Sequence, residues 1–169
     1  MAIDKLIELI DSDPTGTPVD WAPVEARLGT KLPADYKAFV DRYGTGAIGD
    51  FLWVLTPTTA NRFLNLFDSG NAMLAGYREL RANWPGDFPF AAYPEENGLL
   101  PWAVTDNGDE LFWLTEGEDP DQWPTIISTR GMPLEEHRLP AGDLLAGLIA
   151  GRIRSNIIER IDGTFTPAD

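Results

Sequence analysis

The 169-residue sequence contains no cysteine and a single histidine, His137. Without cysteine, the chain cannot form disulfides, thiolate nucleophiles or cysteine-based zinc and iron–sulfur sites, and this composition suits a reducing cytosol. One histidine cannot form a multi-histidine metal site. Carboxylates are therefore the only abundant chemical groups, and we expect no cofactor.

Long hydrophobic runs are also lacking. The closest approach to one, residues 144–151, is far shorter than the roughly 18 residues that suggest a membrane span. The first eleven residues carry acids and lack the basic flank and unbroken apolar run of a signal peptide, so they predict a short amphipathic helix. We expect a cytoplasmic protein that does not bind membranes.

Basic residues are scarce, with 13 Lys and Arg against 27 Asp and Glu, which gives a net charge of −14. A small soluble domain usually carries a net charge of about 2–8 in magnitude. Such a chain repels phosphate backbones, so we expect no direct binding of nucleic acid. It would attract a basic protein, because complementary charge accelerates association. An acidic surface also favours solubility, and that explanation stays open.

The most informative segment, residues 24–46, reads VEARLGTKLPADYKAFVDRYGTG. Just before and within it, one helical face is formed by Trp21, Val24 and Leu28, and Gly29 supplies a left-handed stop. A second helix is predicted to begin at Pro33 and to end at Gly44. Its apolar stripe contains Leu32, Tyr36, Phe39, Val40 and Tyr43. The segment predicts two short helices that meet at a corner and belong to the core.

The remaining sequence indicates clustered strands and two more helices. Strands are predicted at residues 51–55, 124–128 and 135–139, and helices within residues 58–84 and 144–149. Asp68 or Ser69 is the expected cap of the first of these helices. Residues 99–114 predict an antiparallel hairpin in which Asn107-Gly108 forms a type I′ turn. This order predicts a single α+β domain over residues 1–169.

These segments resemble the SUKH superfamily, the Smi/Knr group named for cell-wall assembly regulators. The corner at residues 24–46 is the most specific part, and the likeness extends over about residues 20–152. It includes LLPW at 99–102, the DNGD turn, LFW at 111–113, WP at 123–124 and the late leucine-rich helix. The resemblance implies a multistranded, mostly antiparallel sheet packed by helices, and binding instead of catalysis. Bacterial members are mostly immunity proteins that neutralise a co-produced toxin, in many cases a nuclease.

Two motifs could carry chemistry. Residues 44–49 match the dinucleotide fingerprint GxGxxG, but a helix precedes them and a strand follows, which reverses the required order. His137 has Glu135 on the same face of its predicted strand, and we interpret it as a surface histidine. Acids such as Glu110 offer the best case for an enzyme, but solvated turn carboxylates explain them better. We therefore expect no enzyme activity.

A partner-binding surface is the preferred role for the acids of the second half. We predict that it combines Asp106, Asp109, Glu116, Glu118, Asp119 and Asp121, with Trp123 as an apolar anchor. Trp84 is the other tryptophan expected at the surface, whereas Trp102 and Trp113 are expected in the core. The leading hypothesis is an immunity protein that binds a cognate, basic toxin. The alternative is a regulatory scaffold that binds a cellular protein, as in fungal relatives.

Overall fold

A computed structural model describes residues 2–168, which fold as one α+β domain and confirm the predicted class. The helices are α1 (Ala2–Leu9), α2 (Trp21–Leu28), α3 (Ala34–Tyr43), α4 (Asp68–Asn83) and α5 (Ala141–Ala150), with a short 3-10 helix at Pro120–Gln122. The strands are β1 (Gly46–Ile48), β2 (Leu52–Val54), β3 (Leu99–Thr105), β4 (Glu110–Leu114), β5 (Thr125–Ser128), β6 (Glu135–His137) and β7 (Phe165–Pro167). They form a single sheet in the order β6-β5-β4-β3-β2-β1-β7, and every neighbouring pair is antiparallel.

The helices cover both faces of this sheet. On one face, Trp113 of β4 stacks on Trp102 and meets Tyr36 of α3 edge to face, with ring centroids 4.9 Å apart in the second pair. Helices α1, α3 and α5 contact one another there. The next residue of β4, Phe112, points to the other face and meets Tyr77 of α4. Large buried side chains therefore hold the sheet between two helical layers.

The α2–α3 corner forms as predicted. Asp20 accepts a hydrogen bond from the amide of Ala22 at the start of α2, and Gly29 ends that helix with φ of 80°. Pro33 precedes the first turn of α3 and does not lie within it, so the predicted start is one residue early. The apolar stripe from Leu32 to Tyr43 is buried, as expected.

The β3–β4 hairpin is confirmed, but its predicted type I′ turn is wrong. Gly108 has φ of 82°, whereas Asn107 is not among the residues with positive φ. The amide of Gly108 donates to the carbonyl of Thr105, and the amide of Thr105 donates to that of Asp109, both at 3.0 Å. The Thr105–Asp109 pair thus closes a loop of three residues, 106–108, in which only the glycine is left-handed.

Other boundaries differ from the predictions for local reasons. Helix α4 is not capped by Asp68 or Ser69; instead Asn65 Oδ1 accepts hydrogen bonds from the amides of Phe67 and Asp68. Strand β1 is not among the strands that the sequence predicts. It pairs with β2 on one side and with β7, from the end of the chain, on the other.

Residues 2–168 include no helix with both the length and the hydropathy of a membrane span.

Candidate protein-binding surface

The loop that follows β4 carries four of the predicted acids, and hydrogen bonds fix its shape. Asp119 Oδ1 accepts from the amide of Asp121 at 3.0 Å and so starts the 3-10 helix. Asp121 Oδ1 accepts from the amide of Ala34 at 2.7 Å, at the first residue of α3. The loop is therefore attached to the beginning of α3, and Glu118 and Asp119 stay exposed.

Two further acids, Asp35 and Asp143, lie in the first turns of α3 and α5. Asp35 joins these helices, because its carboxylate accepts from the amides of Tyr36 at 2.7 Å and Gly142 at 2.8 Å. Burial raises the pKa of Asp35; the two backbone hydrogen bonds oppose this shift, and the charges of Asp121 and Asp143 add to it. These charges are thus close enough to interact.

We call this region the acidic end and define it as Asp35, Glu116, Glu118, Asp119, Asp121 and Asp143. Sequence patterns pointed to its loop but missed Asp35 and Asp143. A signal for both was present, because acids are favoured in the first turn of a helix and each follows a proline that precedes a helix. Only the fold shows that the two helix starts lie beside the loop.

Arg138 partly compensates the charge of the acidic end. Arg138 pairs with Glu116 and with Glu136, the latter at 2.6 Å between Nη2 and Oε1. Among the described residues, no ion pair involves Glu118, Asp119 or Asp121. These three exposed carboxylates are therefore available to cations of a partner.

Asp106 and Asp109 are not part of the same patch. They lie in the β3–β4 turn, and β4 separates them from the acidic end by five residues, which is about 17 Å of extended chain. Asp109 is buried and its carboxylate accepts from the hydroxyl of Thr105 at 2.6 Å, so it stabilises the turn. Asp106 is exposed and accepts from the indole N–H of Trp53 at 2.8 Å.

The expectation that Trp123 lies at the surface is wrong. The 3-10 helix turns its side chain inward, where it is 4% exposed and its ring centroid lies 6.2 Å from that of Trp113. It is a core residue and cannot anchor a partner without a rearrangement. Trp84 is 55% exposed and Trp102 and Trp113 are buried, as predicted.

His137 and Glu135 share one face of the edge strand β6, as predicted, and the histidine is half-buried there and not freely exposed. Its side chain is only 13% exposed, and Nε2 lies 2.5 Å from Glu135 Oε1. Burial acts to raise the pKa of Glu135, but hydrogen bonds from Ser155, His137 and the amide of Asn156 outweigh it and lower that pKa. This pair holds the segment after α5 against the sheet edge. Within residues 2–168, no three acidic or histidine side chains are placed to hold a metal ion.

Comparison with known proteins identifies a family for this chain. No curated protein and no solved structure matches the chain significantly. The family described as SMI1 / KNR4 (SUKH-1) matches residues 15–138, which is well over half of the chain and includes every element from α2 to β6. The predicted resemblance is thereby confirmed: the chain belongs to the SMI1/KNR4 family (SUKH-1).

Proposed function

We propose that this protein is a cytoplasmic, non-catalytic immunity protein that binds a co-produced basic toxin and blocks its active site or the approach to it. Membership of the SUKH-1 family is consistent with this role. The observation that carries the proposal is the acidic end, in a chain whose net charge is −14. A nuclease toxin must present cations to phosphates, and an array of carboxylates can occupy the same surface.

The acidic end suits this role because it is ordered before it binds. Asp119 and Asp121 accept backbone hydrogen bonds, and Asp35 is held between α3 and α5. A partner would therefore lose little free energy in ordering this loop. Carboxylates that are fixed at helix starts can also form charge-assisted hydrogen bonds with arginine or lysine of the toxin.

A second candidate function is a regulatory scaffold that binds a cellular protein. The family match supports it, because this branch takes its name from the Smi/Knr cell-wall assembly regulators. The same acidic end would then bind a basic segment of a resident protein. The two hypotheses differ in the identity of the partner and agree that the protein works by binding.

The first experiment is a pull-down of the tagged protein from its native host, with mass spectrometry, together with inspection of the neighbouring genes. We expect to recover a toxin domain encoded beside this gene, and co-expression of the protein should relieve the toxicity of that domain. Recovery of resident proteins alone, with no protection against a neighbouring toxin, would favour the scaffold.

A second experiment asks whether the acidic end is the contact surface. The triple variant Glu118→Gln, Asp119→Asn, Asp121→Asn removes three charges and keeps oxygen acceptors for the caps. The matched control is Glu79→Gln, Asp87→Asn, Glu159→Gln, which removes three charges from exposed sites outside the acidic end. We expect the first variant to lose affinity for the partner and the control to keep it. Equal affinities would place the contact surface elsewhere.

A further inference from the structure

A cleft of about 240 Å³ opens between the end of α2 and the first half of α4. Its apolar wall includes Leu28, Leu66, Leu74, Leu100 and Pro101. Among the described residues that line it, the only charged ones are Arg27 and Arg78. The chain as a whole is acidic, with 27 acids against 13 bases. The lining of this cleft has the opposite charge, because its described residues include two arginines and no acid.

Both arginines are held by neutral groups. The guanidinium of Arg27 lies over the ring of Phe67, 3.8 Å from its centroid. Arg78 Nη2 donates to the carbonyl of Tyr93 at 2.7 Å. Among the described residues, no ion pair with a carboxylate involves either side chain. Since each guanidinium has five N–H donors, most donors remain available for an anion.

The size of the cleft indicates what kind of ligand fits. Pockets for small molecules and cofactors usually enclose about 300–1,000 Å³. A volume of about 240 Å³ instead suits one or two side chains of a protein that docks from outside. The two exposed arginines favour an anion, and carboxylate geometry matches the planar guanidinium fork. The apolar wall favours a hydrophobic group beside that anion.

We propose that this cleft binds an acidic segment of a protein partner. A glutamate or aspartate of the segment would pair with Arg27 and Arg78, and an adjacent apolar side chain would lie on Leu74, Leu100 and Pro101. The site is separate from the acidic end and has the opposite charge. The inference does not require that the partner be a toxin, so failure of the immunity proposal leaves it intact.

Two peptides of equal size test the chemistry. Acetyl-Glu-Leu-amide and acetyl-Gln-Leu-amide are titrated into the full chain while the arginine Nε–Hε signals are followed by NMR. We expect the glutamate peptide to shift the signals of Arg27 and Arg78 to saturation, and the glutamine peptide to bind at least about tenfold more weakly. Equal binding of the two peptides, or equal shifts at Arg152 and Arg154, would overturn the proposal.

Variants and a competing anion test the site itself. Arg27→Gln should weaken the glutamate peptide at least about tenfold, and Arg154→Gln, an exposed arginine outside the cleft, should leave it unchanged. Arg78→Gln should weaken peptide binding as much as Arg27→Gln does. If Arg78→Gln disturbs the Tyr93 segment, the result for Arg27→Gln alone decides whether the cleft is the binding site. Sodium acetate should compete only at much higher concentration, because it lacks the apolar group. If acetate binds with the same affinity as the peptide, the cleft is a site for free anions, and docking of a protein segment is contradicted.

Discussion

The buried carboxylate of Glu25 connects the two helices of the corner. Glu25 is 7% exposed, and its Oε2 accepts from the amide of Leu32 at 2.6 Å and lies 3.4 Å from Lys37 Nζ. This contact satisfies a backbone donor in the connection between α2 and α3. The sequence pattern placed Glu25 between apolar positions of α2 but did not indicate a buried acid, because its partners lie beyond the end of that helix.

Removal of this carboxylate should weaken the fold. We expect Glu25→Ala to lower the free energy of unfolding by about 2–3 kcal/mol, since the Leu32 amide and the Lys37 ammonium both lose their acceptor. Urea unfolding measures the change. Glu79→Ala, at an exposed helical site, is the control and should change stability by about 0.5 kcal/mol or less. Equal losses in the two variants would mean that the Glu25 contact contributes little.

Glu110 should make stability depend on pH. Burial raises the pKa of Glu110 to about 7, while Arg130 opposes the shift. Because the pKa is higher in the folded state, folding favours the protonated form of Glu110. The contribution of this group to the free energy of unfolding is therefore present at low pH and is lost as the pH rises through about 7. Glu110→Gln cannot ionise, so its stability relative to wild type should increase by about 1–2 kcal/mol between pH 5 and pH 8.

Unfolding curves of wild type and Glu110→Gln at several pH values measure this difference. Glu118→Gln removes one charge from the exposed loop and is the matched control. A constant difference between wild type and Glu110→Gln across this range would contradict the assigned environment of Glu110. The shift itself could not be predicted from the sequence, because it depends on which side chains cover β4.

At the scale of elements, the helices and the central hairpin followed from local patterns. The α2–α3 corner, α5 and the β3–β4 pair have apolar spacing or turn residues that are visible within a short window. Strands β1 and β7 have three residues each and were not predicted. These two strands pair with each other although more than a hundred residues separate them in the sequence. A pattern within a short window cannot predict such a pairing.

The hairpin turn offers a paired test of backbone conformation. Gly108 has φ of 82°, so Gly108→Ala should lower the free energy of unfolding by about 1–2 kcal/mol although a Cβ would have space there. Gly76 lies within α4 and also has space for a Cβ, so Gly76→Ala should raise stability by about 0.5–1 kcal/mol. Thermal and urea unfolding of both variants check the signs. Equal effects would contradict the left-handed assignment at Gly108.

At the scale of the whole molecule, charge should govern how fast a partner arrives. A net charge of −14 attracts a basic protein over distances comparable to the Debye length, which is about 10 Å at 0.1 M salt. The acidic end concentrates part of this charge on one surface. Its effect belongs mainly to the association rate, because steering acts before contact forms.

Stopped-flow association with the purified partner provides the measurement. We expect the association rate constant to fall at least about tenfold between low salt and 0.5 M NaCl. The Glu118→Gln, Asp119→Asn, Asp121→Asn variant should associate more slowly at low salt and depend less on salt than the control variant at positions 79, 87 and 159. A rate that does not change with salt would remove electrostatic steering from the mechanism.

The sequence by itself determined the α+β class, the family, the acidic balance and the identity of most helices, because composition and short-range periodicity carry that information. Tertiary structure decided which acids lie close together. It grouped the loop after β4 with the starts of α3 and α5, and it buried Trp123. These outcomes depend on strand order and helix placement, which bring together residues that are far apart in the chain.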